Sequence, residues 1–172
     1  MNDGSDGSLE WVKTQNIDYS WSQENQGICF PMNACRTMVR SKYIVFFNDD
    51  MYACPGWDFH LMEEIKKLDT TFFFLSSTLI EPVKTSNNCC ISPFDYGTSI
   101  ESFDEQRLLR EYASLTHEDW NGASWPPSVV HVDLWDLVGG YSVEFSPGMY
   151  SDPDFSKKLD KAGVRIFKGV SR

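Results

Sequence analysis

The chain has no long apolar run, no basic excess and no recurrent cysteine spacing, and each absence removes a class of function. Apolar runs such as Phe72-Phe73-Phe74-Leu75 are strand-sized, far short of the roughly 20 residues that a membrane-spanning helix needs. Lys and Arg number 15 against 25 Asp and Glu, a net charge of −10, which argues against non-specific nucleic-acid binding through a basic stripe. The five cysteines (Cys29, Cys35, Cys54, Cys89, Cys90) are odd in number and lack metal-type CxxC spacing. They read as free thiols of a reducing compartment, packed as small apolar side chains. The opening residues 1–8 are polar and acidic, unlike a signal peptide; a cytoplasmic location is expected. No Gly-x-Ser-x-Gly elbow and no Walker-type glycine loop occurs. His60, His117 and His131 share no ligand spacing.

What is present fits a globular domain. Of 172 residues, 41% are hydrophobic and 15% aromatic, so the chain is not disordered. Its length suits a single domain over 1–172 that buries roughly 70% of its unfolded surface. The acidic balance leaves a small anionic substrate open, because one bound divalent cation reverses the local sign.

Strand and helix patterns alternate, which predicts an α/β fold with a mostly parallel sheet and covering helices. A helix capped by Asp6 or Ser8 includes Leu9 and Val12, and a short one runs through 33–39. Trp57, Leu61, Ile65 and Leu68 recur at helical spacing, and Phe72–Leu75 is a strand. Residues 81–102 have no period and read as a long, functional loop. Leu108, Leu109, Tyr112 and Leu115 suggest another helix. Val129–Val132 is a strand, followed by a helix from Leu134 to Val138 that Gly139-Gly140 stops. A last helix starts at Asp152-Pro153-Asp154, and Val164–Phe167 closes the fold as a strand.

Three acidic spots fall at the ends of elements. Tyr43-Ile44-Val45-Phe46-Phe47 reads as a strand buried on both faces, and it runs directly into Asn48-Asp49-Asp50. Ligands of open α/β sheets sit at that carboxyl edge. The aspartate pair is either a surface turn or a magnesium- or manganese-type site, in which few protein oxygens combine with water and phosphate. Asn2-Asp3-Gly4-Ser5 is either a plain turn or a place where Asp3 accepts hydrogen bonds from a base or ribose. Asp152 is either an N-cap or a general base held near the positive end of a helix dipole. Trp120, Trp125 and Tyr96 lie in loop-like sequence, and both sugar stacking and core packing are open to them.

Taken in order, Asn-Asp-Gly-Ser, Gln26-Gly27-Ile28 with Asn33, Tyr-Ile-Val-Phe-Phe-Asn-Asp-Asp-Met, Pro-Gly-Trp-Asp, Gly-Gly-Tyr and Phe-Ser-Pro-Gly-Met-Tyr-Ser-Asp-Pro-Asp-Phe resemble family 2 glycosyltransferases of the GT-A fold. The resemblance implies a Rossmann-like sheet, a nucleotide-sugar donor, a carbohydrate or other hydroxyl acceptor, and Mn2+ or Mg2+ on the diphosphate. It assigns Asp3 to the nucleoside, Asn33 and Asp49 to the nucleotide sugar, Asp50 to the metal as well as the donor, and Asp152 to the catalytic base of an inverting transfer. Two departures imply a chain shortened at both ends. The family's first strands would precede Met1, and its metal-binding histidine would follow Arg172. The position before Asp152, often glutamate in the family, is Ser151. Two other readings stand beside this one. One is a non-catalytic module that binds a nucleotide sugar or carbohydrate; the other is a nucleotidyltransferase, which would ordinarily carry a glycine-rich basic loop.

Overall fold

The computed structural model describes residues 5–122 and 126–171. In chain order its helices and strands are α1 (Ser8–Lys13), α2 (Cys29–Cys35), β1 (Tyr43–Phe46), α3 (Trp57–Leu68), β2 (Phe73–Ser77), β3 (Leu79–Ile80), β4 (Cys90–Ile91), α4 (Glu105–Glu111), β5 (Trp120–Asn121), β6 (Ser128–His131), α5 (Val132–Val138), α6 (Ser151–Lys161) and β7 (Ile166–Val170). The architecture is mixed α/β, a central sheet with flanking helices. The chain forms two compact units, Met1–Ile44 with His131–Gly163, and Val45–Val130 with Val164–Arg172.

In the first unit, Asp6 accepts the Ser8 N–H at 3.0 Å just before α1, and α1 turns Val12 inward. Pro31 lies in the first turn of α2, where its missing N–H costs little. His131 caps α5: its Nδ1 accepts the Asp133 N–H at 3.2 Å. Gly139 ends α5 at φ 74°, the left-handed conformation of a helix stop. Helix α5 buries Leu134 and Trp135, and α6 buries Ser151, Phe155 and Leu159. The core includes an aromatic cluster. Tyr141 stacks on Phe155 with centroids 5.0 Å apart, and Trp135 stands 5.5 Å from Tyr141 and 5.1 Å from Phe155. Arg36, just after α2, grips Asp136 of α5 through two hydrogen bonds of 2.7 and 2.6 Å.

The second unit is built around β2, all five of whose residues are buried. Each of its large apolar side chains contributes about 1.5–3 kcal/mol on burial. Strand β2 pairs antiparallel with β6 (Phe74 opposite Val130) and parallel with β7 (Phe74 opposite Phe167). Strand β5 is antiparallel to β7, and β3 and β4 form a separate parallel pair. Helix α3 starts after Gly56, which takes φ 82°, and turns Leu61 and Ile65 inward.

Two expectations are revised. The five-stranded sheet, in order β1-β6-β2-β7-β5, is mixed rather than mostly parallel. Alternation of strands and helices does not fix strand direction, and residues 78–127 supply enough chain for β6 to return reversed beside β2. Strand β1 is not buried on both faces: Ile44 is buried but Val45 is 39% exposed. Among the described strands β1 ends the order, with β6 as its one neighbour. Among the described residues no helix is long and apolar enough to cross a membrane.

Candidate functional site

In the second unit the chain leaves β1 through Phe47, whose ring packs on Trp57 with centroids 5.4 Å apart. It then turns at Asp49 and Asp50, both exposed. Both aspartates line a cavity of about 1210 Å³. Other parts of its wall come from the loop expected at 81–102 and from α4. Phe94, Tyr96, Ile100 and Phe103 line it, as does Tyr52 just beyond the acidic turn.

The wall is held by specific contacts. Tyr52 donates to Glu105 Oε1 at 2.7 Å, and its ring lies 5.1 Å from Phe103. Tyr96 is buried, donates to Glu111 Oε2 at 3.1 Å and lies under the Arg107 guanidinium at 5.0 Å. Hydrogen bonds from backbone N–H groups pin the loop: Asp104 N–H donates to the Tyr96 carbonyl at 2.7 Å, and the Thr98 and Ser99 N–H groups each donate to the Ser102 side-chain Oγ at 3.1 Å. Trp120 packs inside: it is buried, and its Nε1 donates to Thr78 Oγ1 at 3.2 Å. Trp125 lies outside the described residues.

Among the described residues no three His, Cys, Asp or Glu side chains converge as a metal cage. Two adjacent, exposed carboxylates beside a cavity nevertheless suit magnesium or manganese, which ordinarily take few protein ligands and complete their shell with water and phosphate.

In the first unit Asp152 stands in the first turn of α6, one residue inside the helix. Tyr150, at φ 65°, occupies the N-cap position without a side-chain cap bond. Asp152 is therefore not the N-cap. Its Oδ1 instead accepts a hydrogen bond from the Tyr141 hydroxyl at 3.2 Å. Burial pushes the Asp152 carboxyl above the ordinary aspartate value, and the Tyr141 hydrogen bond pulls the other way by favouring the charged form. Burial, followed by the nearby Asp152 charge, raises the Tyr141 phenol, so that it remains the donor of the pair.

Neighbouring bonds brace this helix start. Ser151 Oγ donates to the Gly148 carbonyl at 2.6 Å. Ser142 Oγ donates to Asp154 Oδ2 at 2.6 Å, and Lys158 donates to Ser142 Oγ and to the Gly140 carbonyl.

Asn33 and Asp152 thus meet through Tyr141. The Asn33 carboxamide accepts the Tyr141 N–H at 2.9 Å and donates to the Tyr141 carbonyl at 2.8 Å. Asp49 and Asp50 belong to the other unit. Asp3 lies outside the described residues. The Gly139-Gly140-Tyr141 motif carries no sequence signal of a role for Tyr141. Tyr52, Phe94 and Phe103 likewise offer no signal beyond aromatic residues in irregular sequence.

The family model described as glycosyl transferase family 2 matches residues 1–116. The chain belongs to that family. No curated protein matches the chain.

Proposed function

We propose that the chain moves a glycosyl group from a nucleotide-sugar donor to an acceptor hydroxyl, with inversion, residues 1–172 serving as one transferase domain. The observation that carries this reading is Asp152: a half-buried carboxylate with a raised pKa, one oxygen of which accepts from Tyr141. This setting suits a base, because proton acceptance becomes more effective as a carboxylate's pKa moves up toward the working pH. Asp152 takes the acceptor hydroxyl proton, the acceptor oxygen forms its bond to the anomeric carbon, and the bond from that carbon to the diphosphate oxygen breaks. A single displacement of this kind needs one carboxylate, not the pair used by glycosidases.

Asp50 is the residue that would hold Mn2+ or Mg2+, Asp49 would contact ribose or phosphate, and Asp3 the nucleoside. When bound, such a cation supplies Lewis-acid stabilisation of the departing diphosphate. Asn33, assigned to the nucleotide sugar by resemblance, retains one N–H and one lone pair for that contact beyond its two bonds to Tyr141.

The test is donor hydrolysis or transfer in the presence of manganese. Turnover that persists in both Asp50→Ala and Asp152→Asn contradicts the assignment. The aromatic lining of the Asp49–Asp50 cavity also favours a second reading, a sugar-nucleotide binding module without turnover. Calorimetric binding unaccompanied by product identifies that case.

A further inference from the structure

Asp152 does not stand alone, and its partner is held more firmly than a surface hydrogen bond requires. The Tyr141 ring is 3% exposed, stacked on Phe155 at 5.0 Å and 24°, with Trp135 edge-on at 5.5 Å and 72°. Its peptide is gripped at both ends by one side chain, Asn33, which reaches it from a helix more than a hundred residues earlier. Gly140 makes that grip achievable: at φ 66°, a Cβ there would meet Asn33 Oδ1 at 2.3 Å and the Trp135 indole at 3.0 Å. Both the ring and the backbone of Tyr141 are therefore fixed before its hydroxyl reaches Asp152.

We propose that Tyr141 is a positioning residue for the general base: its hydroxyl locks Asp152 through Oδ1 and leaves Oδ2 to the acceptor hydroxyl, while Asn33 holds Tyr141 in register. This rests on the reading of Asp152 as the base. A carboxylate anchored by one oxygen loses its rotational freedom and presents the other in a fixed direction, the usual requirement for proton transfer at hydrogen-bond range. The bond favours the ionised form and so opposes the upward push of burial. The titratable and charged groups around the pair are Cys29 of α2, which acts on Tyr141, and on α6 itself Asp154 with Lys158 4.0 Å from it.

Tyr141→Phe keeps the ring stack and deletes only the hydroxyl. It is expected to lower kcat about tenfold with little change in KM, and to move the acidic limb of the rate profile upward by about one pH unit. The upward direction follows because a bond that stabilised the carboxylate is gone. Asn33→Ala is expected to move both quantities the same way, since it frees the Tyr141 peptide. Carboxyl-carbon NMR of the full chain, with Asp152 assigned by its loss in Asp152→Asn, reads the titration directly and without turnover. Its midpoint rises in Tyr141→Phe.

An unchanged midpoint, or an unchanged pH–rate profile in Tyr141→Phe, overturns the proposal. If Asp152→Asn retains activity, the base assignment itself fails, an outcome distinct from an inactive Asp152→Asn beside a normal Tyr141→Phe.

Discussion

The indole of Trp120 fills the space that a side chain on Gly169 would occupy. The two residues face each other across the β5–β7 pair, and a Cβ on Gly169 would meet the ring at 1.7 Å. Gly169→Ala is therefore expected to overpack the sheet and destabilise the protein by about 1–3 kcal/mol. Trp120→Ala, which empties the same place, should cost about 3–5 kcal/mol. Urea denaturation of the two variants checks both values. A Trp120→Ala protein of native stability with weakened sugar binding would instead favour the stacking role left open by the sequence.

Asp152→Asn should leave the fold intact, because Tyr141 retains an oxygen acceptor at that position. Turnover should fall about 10²–10⁴-fold, the usual contribution of a positioned general base. Circular dichroism and steady-state kinetics on one preparation separate loss of chemistry from loss of structure.

Asp50→Ala should abolish the response of turnover to added manganese and weaken donor binding in its presence. Asp49→Ala should raise the donor KM while leaving manganese activation in place. Titrating the metal at fixed donor concentration distinguishes the two, and the same manganese activation curve in both variants would contradict the separate roles.

Lys168 joins Glu64 of α3 and Asp119 in an ion network, with Nζ 2.7 Å from Asp119 Oδ2. The Lys168 hydrogen bond, followed by that of Lys67, holds the Glu64 carboxyl below its ordinary value against the opposing effect of burial. A depressed folded-state pKa contributes stability above the unfolded value, and that stability is lost as pH falls through the folded value. Glu64→Gln should thus lower Tm at pH 7, by the equivalent of about 1–2 kcal/mol for a charge-assisted bond. The difference from the parent protein should shrink as pH falls below the ordinary Glu value and through the depressed folded one. Thermal melts of both proteins across that range measure it, and a difference that does not depend on pH would point to packing instead.

Much of the fold was legible because burial writes its period into the chain. The spacing of Leu61 and Ile65 gave α3, Asp152-Pro153-Asp154 marked the start of α6, and Phe73–Leu75 gave the buried strand. Strand direction was not legible, since the reversed β6 depends on how residues 78–127 travel and not on any local pattern. The apolar run 43–47 overstated burial, because hydrophobicity cannot tell an end strand from a central one. The acidic turn and Asp152 stood out as carboxylates at the ends of elements. Tyr141 did not, because its partners Asn33 and Asp152 are brought to it only by folding.

The most direct test is a transfer assay with the full chain, Mn2+ and a panel of nucleotide sugars, comparing the native protein with Asp50→Ala and Asp152→Asn. The account predicts manganese-dependent release of nucleoside diphosphate by the native chain and its loss in both variants. Release that continues undiminished in both would contradict it.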